Sequence, residues 1–110
     1  MILSFRDLEV YKESYALMLE IHRYVFKFPA YESSDLASQM RRASKSCPAN
    51  IAEGWAKRRF EKEFKKYMEI HIEVAKDLNY WSNELCLKLL ERYRNLGGKL
   101  VNLQRNWKTN

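Results

Sequence analysis

The chain has 110 residues and a mass of 13.3 kDa, with 46% apolar and 31% charged residues and a net charge of +6. This composition predicts one folded domain, residues 1–110, and excludes a disordered chain. The sequence lacks both the roughly 18-residue apolar stretch of a membrane span and the features of a signal peptide, so we expect a cytoplasmic protein without a membrane partner. Three glycines and two prolines are too few for the many turns of an all-β domain, which leaves long helices.

The first predicted helix covers residues 5–28. Ser4 and Asp7 have the spacing of a capping box at its start, and Pro29 disfavours helical geometry in the residue before it. Two neighbouring apolar rows run along this helix: Leu8, Tyr11, Tyr15, Met18, Ile21, Val25 and Phe28, and Val10, Leu17, Ile21, Tyr24 and Phe28. Because two rows are wider than one packing seam needs, we expect the helix to contact more than one neighbour, in its own bundle or in another subunit.

The second predicted helix covers residues 34–58 and is rich in small residues. Its expected inward positions are Leu36, Met40, Ala43, Cys47, Ile51 and either Gly54 or Trp55. Pro48 lies in the middle, where a proline removes one backbone hydrogen bond and bends the helix. The preferred prediction is a continuous helix kinked at Pro48. The alternative is a break there, with Asn50 and Glu53 forming a new capping box.

The third and fourth predicted helices cover residues 60–79 and 83–107. The expected inward row of the third helix is Phe64, Tyr67, His71, Val74 and Leu78. Helical periodicity continues from there to Trp107, so the pattern allows two positions for the turn. A turn at 79–83, where Asn and Ser cluster, gives four helices of similar length and is preferred. The alternative is a turn at Gly97-Gly98, which otherwise becomes a weak point or a close-packing site within the fourth helix.

The sequence offers no pattern typical of a metal, cofactor or catalytic site. Cys47 and Cys86 are 39 positions apart, which matches neither a zinc site nor a redox pair, so we expect both to be buried. Neither histidine has metal-ligand spacing, and His71 is expected to pack in the core. Phosphate-binding loops and nucleophile motifs are absent from the sequence. The protein is therefore expected not to be an enzyme and to need no cofactor or metal.

The positive charge is concentrated in one segment. Residues 41 to 66 include nine basic and three acidic residues, so this segment carries the whole excess of +6. The nine are the candidate nucleic-acid-binding residues: Arg41, Arg42, Lys45, Lys57, Arg58, Arg59, Lys62, Lys65 and Lys66. Arg58, Lys62 and Lys66 have the i, i+4, i+8 spacing of a stripe along one helix. Such asymmetry indicates a polyanionic partner, and the alternative is a solvated, lysine-rich helix surface.

Several stretches resemble a known family. They are Phe5 through Tyr11, Phe28-Pro29, Glu32, Leu36, Gln39, Arg41-Arg42-Ala43, Ser46, Pro48, Asn50 through Gly54, Glu63-Phe64, and Leu96-Gly97 with Leu100. In spacing they resemble the proteins encoded in intervening sequences of bacterial 23S ribosomal RNA genes. The chain departs from that pattern at Asp35, where glycine is common, and at Cys47, where isoleucine is usual. Its third and fourth helices also form a shorter region than is typical of the family.

The resemblance implies an antiparallel up-down four-helix bundle that assembles as a homopentamer and has no known enzymatic activity. Related accessory proteins of diversity-generating retroelements bind nucleic acid and a reverse transcriptase. Together with the basic segment, this predicts an oligomer that binds the RNA or DNA backbone. Trp55 and Phe60 lie near the basic residues in the sequence; burial is favoured for both, and stacking on bases is the alternative. The alternative function is a protein-binding adaptor that uses the apolar face of the first helix.

Overall fold

The computed structural model describes residues 4–60 and 66–108, without the side chains of 107 and 108. Its four helices are α1 (Glu9–Tyr24), α2 (Leu36–Lys57), α3 (Lys66–Asp77) and α4 (Asn83–Lys108). Single 3-10 turns lie at Phe5–Asp7, Val25–Lys27 and Ala30–Glu32. Every regular element of the described residues is helical, so the predicted all-α fold with four helices is confirmed. None of the described helices combines the length and apolarity that crossing a membrane requires.

The helices pack at the four corners of a bundle. Both α1 and α3 pack against α2 and α4, while no described Cα atom of α1 lies within 8 Å of one in α3, so these two helices lie on a diagonal. Glu13 of α1 accepts a hydrogen bond from Lys99 of α4 at 2.5 Å, and Glu20 of α1 forms an ion pair with Arg92 of α4 at 2.7 Å. Because the partners move backwards along α4 as the chain advances along α1, the first and last helices run in opposite directions.

The start of the first helix differs from its predicted form. The Ser4 and Asp7 capping box is present, with the Ser4 N–H donating to Asp7 Oδ2 at 3.1 Å. It caps a 3-10 turn, however, because Leu8 is extended at ψ 131° and α1 begins after it. At the other end α1 stops at Tyr24 and a 3-10 turn continues to Lys27, so the element predicted as residues 5–28 is three shorter pieces.

The second helix runs without interruption past Pro48, which confirms its predicted continuity, and the alternative break with a new capping box is wrong. Pro48 is buried, so packing stabilises the helix at the position where a hydrogen bond is missing. The predicted inward positions are buried except for Ala43 and Trp55, which are half-buried. Cys47 and Cys86 are buried free thiols as predicted, and burial raises the pKa of Cys47 to about 12.

The turn between α3 and α4 lies at its preferred position. Asn79 has a left-handed conformation with φ 61°, and the Tyr80 N–H donates to the Ala75 carbonyl at 2.9 Å, which is the pattern of a Schellman motif. Asn tolerates this conformation better than most residues. The Gly97-Gly98 pair lies inside α4, and a Cβ atom at Gly98 would meet nothing within 4 Å, so Gly98 is not a close-packing site.

The predicted inward face of α3 is wrong by one residue. The buried side chains are Met68, Ile72 and Ala75, whereas Tyr67 is 66% exposed and Leu78 is 49% exposed. Val74 is exposed as well and His71 is half-buried; Phe64 lies outside the described residues. Both rows have helical spacing, and packing against α2 and α4 selects the second. Phe60, predicted as the start of this helix, is not helical.

Aromatic side chains join the ends of the helices at the α3–α4 turn. The Trp81 indole N–H donates to the Tyr24 carbonyl at 3.1 Å, and the Tyr80 hydroxyl donates to Glu32 Oε2 at 2.7 Å. The Phe28 ring lies 5.0 Å from the ring of Tyr80 and 5.1 Å from that of Trp81. These contacts hold the α1–α2 connection against the α3–α4 turn.

Tyr93 gives a test of core packing. It is fully buried, its hydroxyl has no hydrogen-bond partner among the described residues, and burial raises the pKa of that hydroxyl. A buried unpaired polar group costs about 1–3 kcal/mol, so Tyr93→Phe should increase the free energy of unfolding by about 1 kcal/mol. Urea denaturation measures this. Tyr80→Phe, which removes a hydrogen-bonded hydroxyl, is the control and should decrease stability. Destabilisation by Tyr93→Phe would show that its hydroxyl is paired in solution.

Candidate nucleic-acid interface

The basic segment does not form a stripe along one helix. α2 ends at Lys57 because Arg58 has a left-handed conformation, φ 58°, and the Arg59 N–H donates to the Gly54 carbonyl at 2.9 Å, as in a Schellman motif. Arg58 therefore lies beyond α2, Lys66 is the first described residue of α3, and Lys62 lies outside the described residues. The predicted stripe of these three residues on a single helix is wrong.

The chain turns sharply at this point because Gly54 lacks a side chain. A Cβ atom there would lie 2.3 Å from Cδ1 of Phe60 and 2.8 Å from the carbonyl oxygen of Arg59. The Phe60 ring is buried against the glycine, and its backbone N–H donates to Gln104 Oε1 of α4 at 3.0 Å. Phe60 is thus a core residue, as favoured from the sequence. Trp55 is half-buried, and the Arg58 guanidinium lies 4.4 Å above its ring.

Three parts of the chain meet at this end of the bundle. The 3-10 turn at Phe5–Asp7 packs against α2, as do the turns that follow α1. Since α1 leads into the start of α2, the turn that precedes α1 lies toward the end of α2. The Phe60 contact with Gln104 brings the last part of α4 to the same place. Exposed Arg6 and Arg105 therefore lie at the same end of the bundle as Lys57, Arg58 and Arg59.

We call this region the basic end surface. It comprises Arg6, Lys57, Arg58, Arg59, Lys66 and Arg105, all of which are exposed. Sequence reasoning missed Arg6 and Arg105 because they are far from the basic segment along the chain. Only the direction of the helices brings them to the same end of the bundle, and neither periodicity nor charge counting carries that signal.

The other predicted site residues lie elsewhere or outside the described residues. Arg41 is half-buried and its guanidinium donates to the Ser33 carbonyl at 2.9 Å, at the start of α2. Arg42 and Lys45 are exposed on the same half of that helix. Lys45 precedes Lys57 by twelve residues, which is about 18 Å along the axis at 1.5 Å per residue. Lys62 and Lys65 lie outside the described residues. The nine candidates are therefore not one patch.

A small pocket opens beside the basic end surface. It has a volume of about 300 Å³ and is lined by Asn50, Glu53, Gly54, Lys57 and Arg59. Lys57 Nζ lies 2.9 Å from Glu53 Oε1, and this hydrogen bond lowers the pKa of Glu53. The carboxylate is therefore ionised at neutral pH. Among the described residues, no group of three or more His, Cys, Asp and Glu side chains is placed to hold a metal ion.

Comparisons with curated proteins and with solved structures gave no significant match. The 23S rRNA-intervening sequence protein family matches residues 6–102. This range contains α1, α2, α3, most of α4 and the Asn50–Gly54 stretch that lines the pocket. A four-helix fold is also what the resemblance of these sequence stretches implied. The chain therefore belongs to the 23S rRNA-intervening sequence protein family.

Proposed function

We propose that the protein is a non-enzymatic homo-oligomer that binds the phosphate backbone of RNA or DNA through the basic end surface. The observation that carries this proposal is the position of six exposed Lys and Arg residues, from separate parts of the chain, at one end of the bundle. Lys and Arg bind phosphates and release condensed counterions, so such binding is strong at low salt. It depends on charge and shape, and the sequence contains no base-reading motif.

The outer face of α1 supports the oligomer. Tyr15 and Leu19 are 45% and 49% exposed, beside half-buried Tyr11, although all three are large apolar side chains. Lys12 and Arg23 are exposed and flank Leu19 at i−7 and i+4, so this apolar face has a basic edge. The sequence predicted that α1 carries more apolar surface than one seam buries, and this face is the part that the bundle leaves uncovered.

The outer face of α3 has the complementary character. Its exposed apolar residues are Tyr67, Ile70, Val74 and Leu78. Glu73 and Asp77 are exposed at i+3 and i+7 from Ile70, and Lys66 is exposed at i−4 on the same side, so this edge of the face has two acidic residues and one basic residue. Because α1 and α3 lie on a diagonal, the two faces point away from each other. We infer that the α1 face of one copy docks on the α3 face of the next, a head-to-tail contact that generates a ring when the rotation between copies closes.

A pentamer, which the family resemblance implies, would carry five times the +6 charge of one chain and present five basic end surfaces to one nucleic acid. The alternative function is an adaptor whose α1 face binds another protein, such as a reverse transcriptase, without nucleic-acid contact. The exposure of Tyr15 and Leu19 favours an interface of this kind. Apolar protein interfaces keep their affinity when salt is added, whereas phosphate binding loses it.

A charge-matched pair of triple variants tests the nucleic-acid proposal. One variant changes Arg59, Lys66 and Arg105 of the basic end surface to Gln. The control changes the exposed residues Lys27, Arg42 and Lys45 to Gln and loses the same charge elsewhere. Each lost phosphate contact should flatten the log–log salt dependence of binding by about one unit. We therefore expect a slope reduced by about three units or more in the first variant and by less than about one unit in the control.

The measurement is a titration of fluorescent single- and double-stranded RNA and DNA at two or more salt concentrations. Circular dichroism and light scattering should show unchanged helicity and mass, because exposed substitutions shift stability by less than about 0.5 kcal/mol each. Equal slopes for both variants would remove the basic end surface from the binding site. Absence of binding by the wild type at low salt would favour the adaptor.

A further inference from the structure

We propose that the pocket lined by Asn50, Glu53, Gly54, Lys57 and Arg59 binds one nucleotide of a single-stranded nucleic acid. In this site Glu53 accepts a hydrogen bond from the exocyclic amino group of the base, and Arg59 binds the adjoining phosphodiester. The inference rests on the proposed function and deepens it, since a backbone-binding surface would thereby discriminate bases at one position.

The position of the pocket follows from the fold. Asn50, Glu53 and Lys57 are spaced i, i+3 and i+7 along α2, so they share one face of the helix. Arg59 reaches the same face because the chain turns back over Gly54 after the left-handed Arg58. The pocket therefore combines an amide, a carboxylate, an ammonium and a guanidinium group at the edge of the basic end surface.

The charge of the pocket matches a phosphodiester. The side chains that line the pocket include one carboxylate and two cations, a formal sum of +1, and a phosphodiester carries one negative charge. A phosphate monoester or a nucleoside triphosphate carries more negative charge than a phosphodiester and would be repelled more strongly by the ionised Glu53. The volume of about 300 Å³ is at the lower end of the range for small-ligand sites and is suited to one nucleotide.

The carboxylate decides which bases the pocket accepts. An ionised carboxylate only accepts hydrogen bonds, and the Lys57 hydrogen bond lowers the pKa of Glu53, so the group stays an acceptor at neutral pH. Cytosine presents an amino group at C4, where uracil presents a carbonyl oxygen. Glu53 should attract the first and repel the second. In a duplex one hydrogen of this amino group is used in the base pair, whereas an unpaired strand offers both hydrogens and can place the whole base in the pocket, so the site should prefer unpaired strands.

The experiment compares two RNA oligonucleotides of equal length, one all-cytidine and one all-uridine. They carry the same charge and differ at the base edge that Glu53 would contact. A correct hydrogen-bonded contact is worth at least about 1 kcal/mol, so the wild type should bind oligocytidine about five- to tenfold more tightly than oligouridine. Glu53→Gln should reduce this preference to less than about twofold, because an amide both donates and accepts. Arg59→Gln should weaken both oligonucleotides equally.

Glu84→Gln is the matched control. Glu84 is exposed and pairs with Lys88 at i+4, as Glu53 does with Lys57, but it lies on α4 at the other end of the bundle. This variant should keep the wild-type preference. Equal affinity of the wild type for both oligonucleotides, or an unchanged preference in Glu53→Gln, would overturn the proposal that the pocket binds a base. Neither result would contradict backbone binding by the basic end surface. Failure of the wild type to bind either oligonucleotide would overturn the proposed function as well.

Discussion

Gly54→Ala should destabilise the fold by about 2 kcal/mol, the balance of overpacking and improved helix propensity. The new Cβ would lie 2.3 Å from Cδ1 of Phe60 and 2.8 Å from the Arg59 carbonyl oxygen. Phe60 is buried and the second atom belongs to the backbone, so neither yields easily. Space is the reason for the glycine, since no described glycine has a positive φ.

The matched control is Gly98→Ala. Gly98 also lies within a helix, but it is exposed and a Cβ there would meet nothing within 4 Å. Alanine should therefore stabilise α4 by about 1 kcal/mol. Urea denaturation of both variants measures the two opposite changes. A Gly54→Ala protein at least as stable as the wild type would show that the chain beyond Lys57 does not pack on Gly54 in solution.

Single glutamate substitutions on the two outer faces should convert the oligomer to monomers. Tyr15→Glu places a charge in the α1 face and Val74→Glu places one in the α3 face, and an uncompensated buried charge costs several kcal/mol. Light scattering should give 13.3 kDa for each variant. Leu87→Glu, at a residue of α4 that is 64% exposed and outside both faces, is the control and should leave the oligomer intact.

Mixing the two monomeric variants distinguishes a head-to-tail contact from a two-fold symmetric one. The Tyr15→Glu protein keeps its α3 face and the Val74→Glu protein keeps its α1 face. These two unmodified faces can form one interface, so a heterodimer should appear. A symmetric α1–α1 contact would instead leave the Val74→Glu variant assembled. A wild-type mass of 13.3 kDa at micromolar concentration would contradict the assembly altogether.

Features of the fold that depend on neighbouring residues were predictable from the sequence. Asn79 lies where Asn and Ser cluster, and it supplies the left-handed residue of the α3–α4 turn. Pro48 was compatible with a continuous helix, and α2 continues through it. The face of α3 was not predictable from periodicity, because Tyr67 and Met68 begin two rows of equal helical spacing. Contact with α2 and α4 decides which of them is buried.

The candidate site was predictable only in part for the same reason. Charge counting found Lys57, Arg58 and Arg59, which do lie together. It assigned Arg58 to a helix because the sequence has no glycine where α2 ends, and a glycine is the usual signal of such an end. The residue that permits the turn is Gly54, four positions earlier, through the space that it leaves. Arg105 joins the surface through tertiary structure alone.

Arg58 lowers the stability of the fold through its backbone conformation, while its side chain belongs to the proposed nucleic-acid-binding surface. Its left-handed backbone, φ 58°, costs a non-glycine residue about 1–2 kcal/mol, and a glycine at this position would avoid that cost. Small domains are stable by only about 5–15 kcal/mol in total, so this is a substantial share for one residue. On the proposed function, the chain gives up that stability to keep a guanidinium group where α2 ends, so selection for thermal stability alone should replace Arg58 with glycine and weaken nucleic-acid binding.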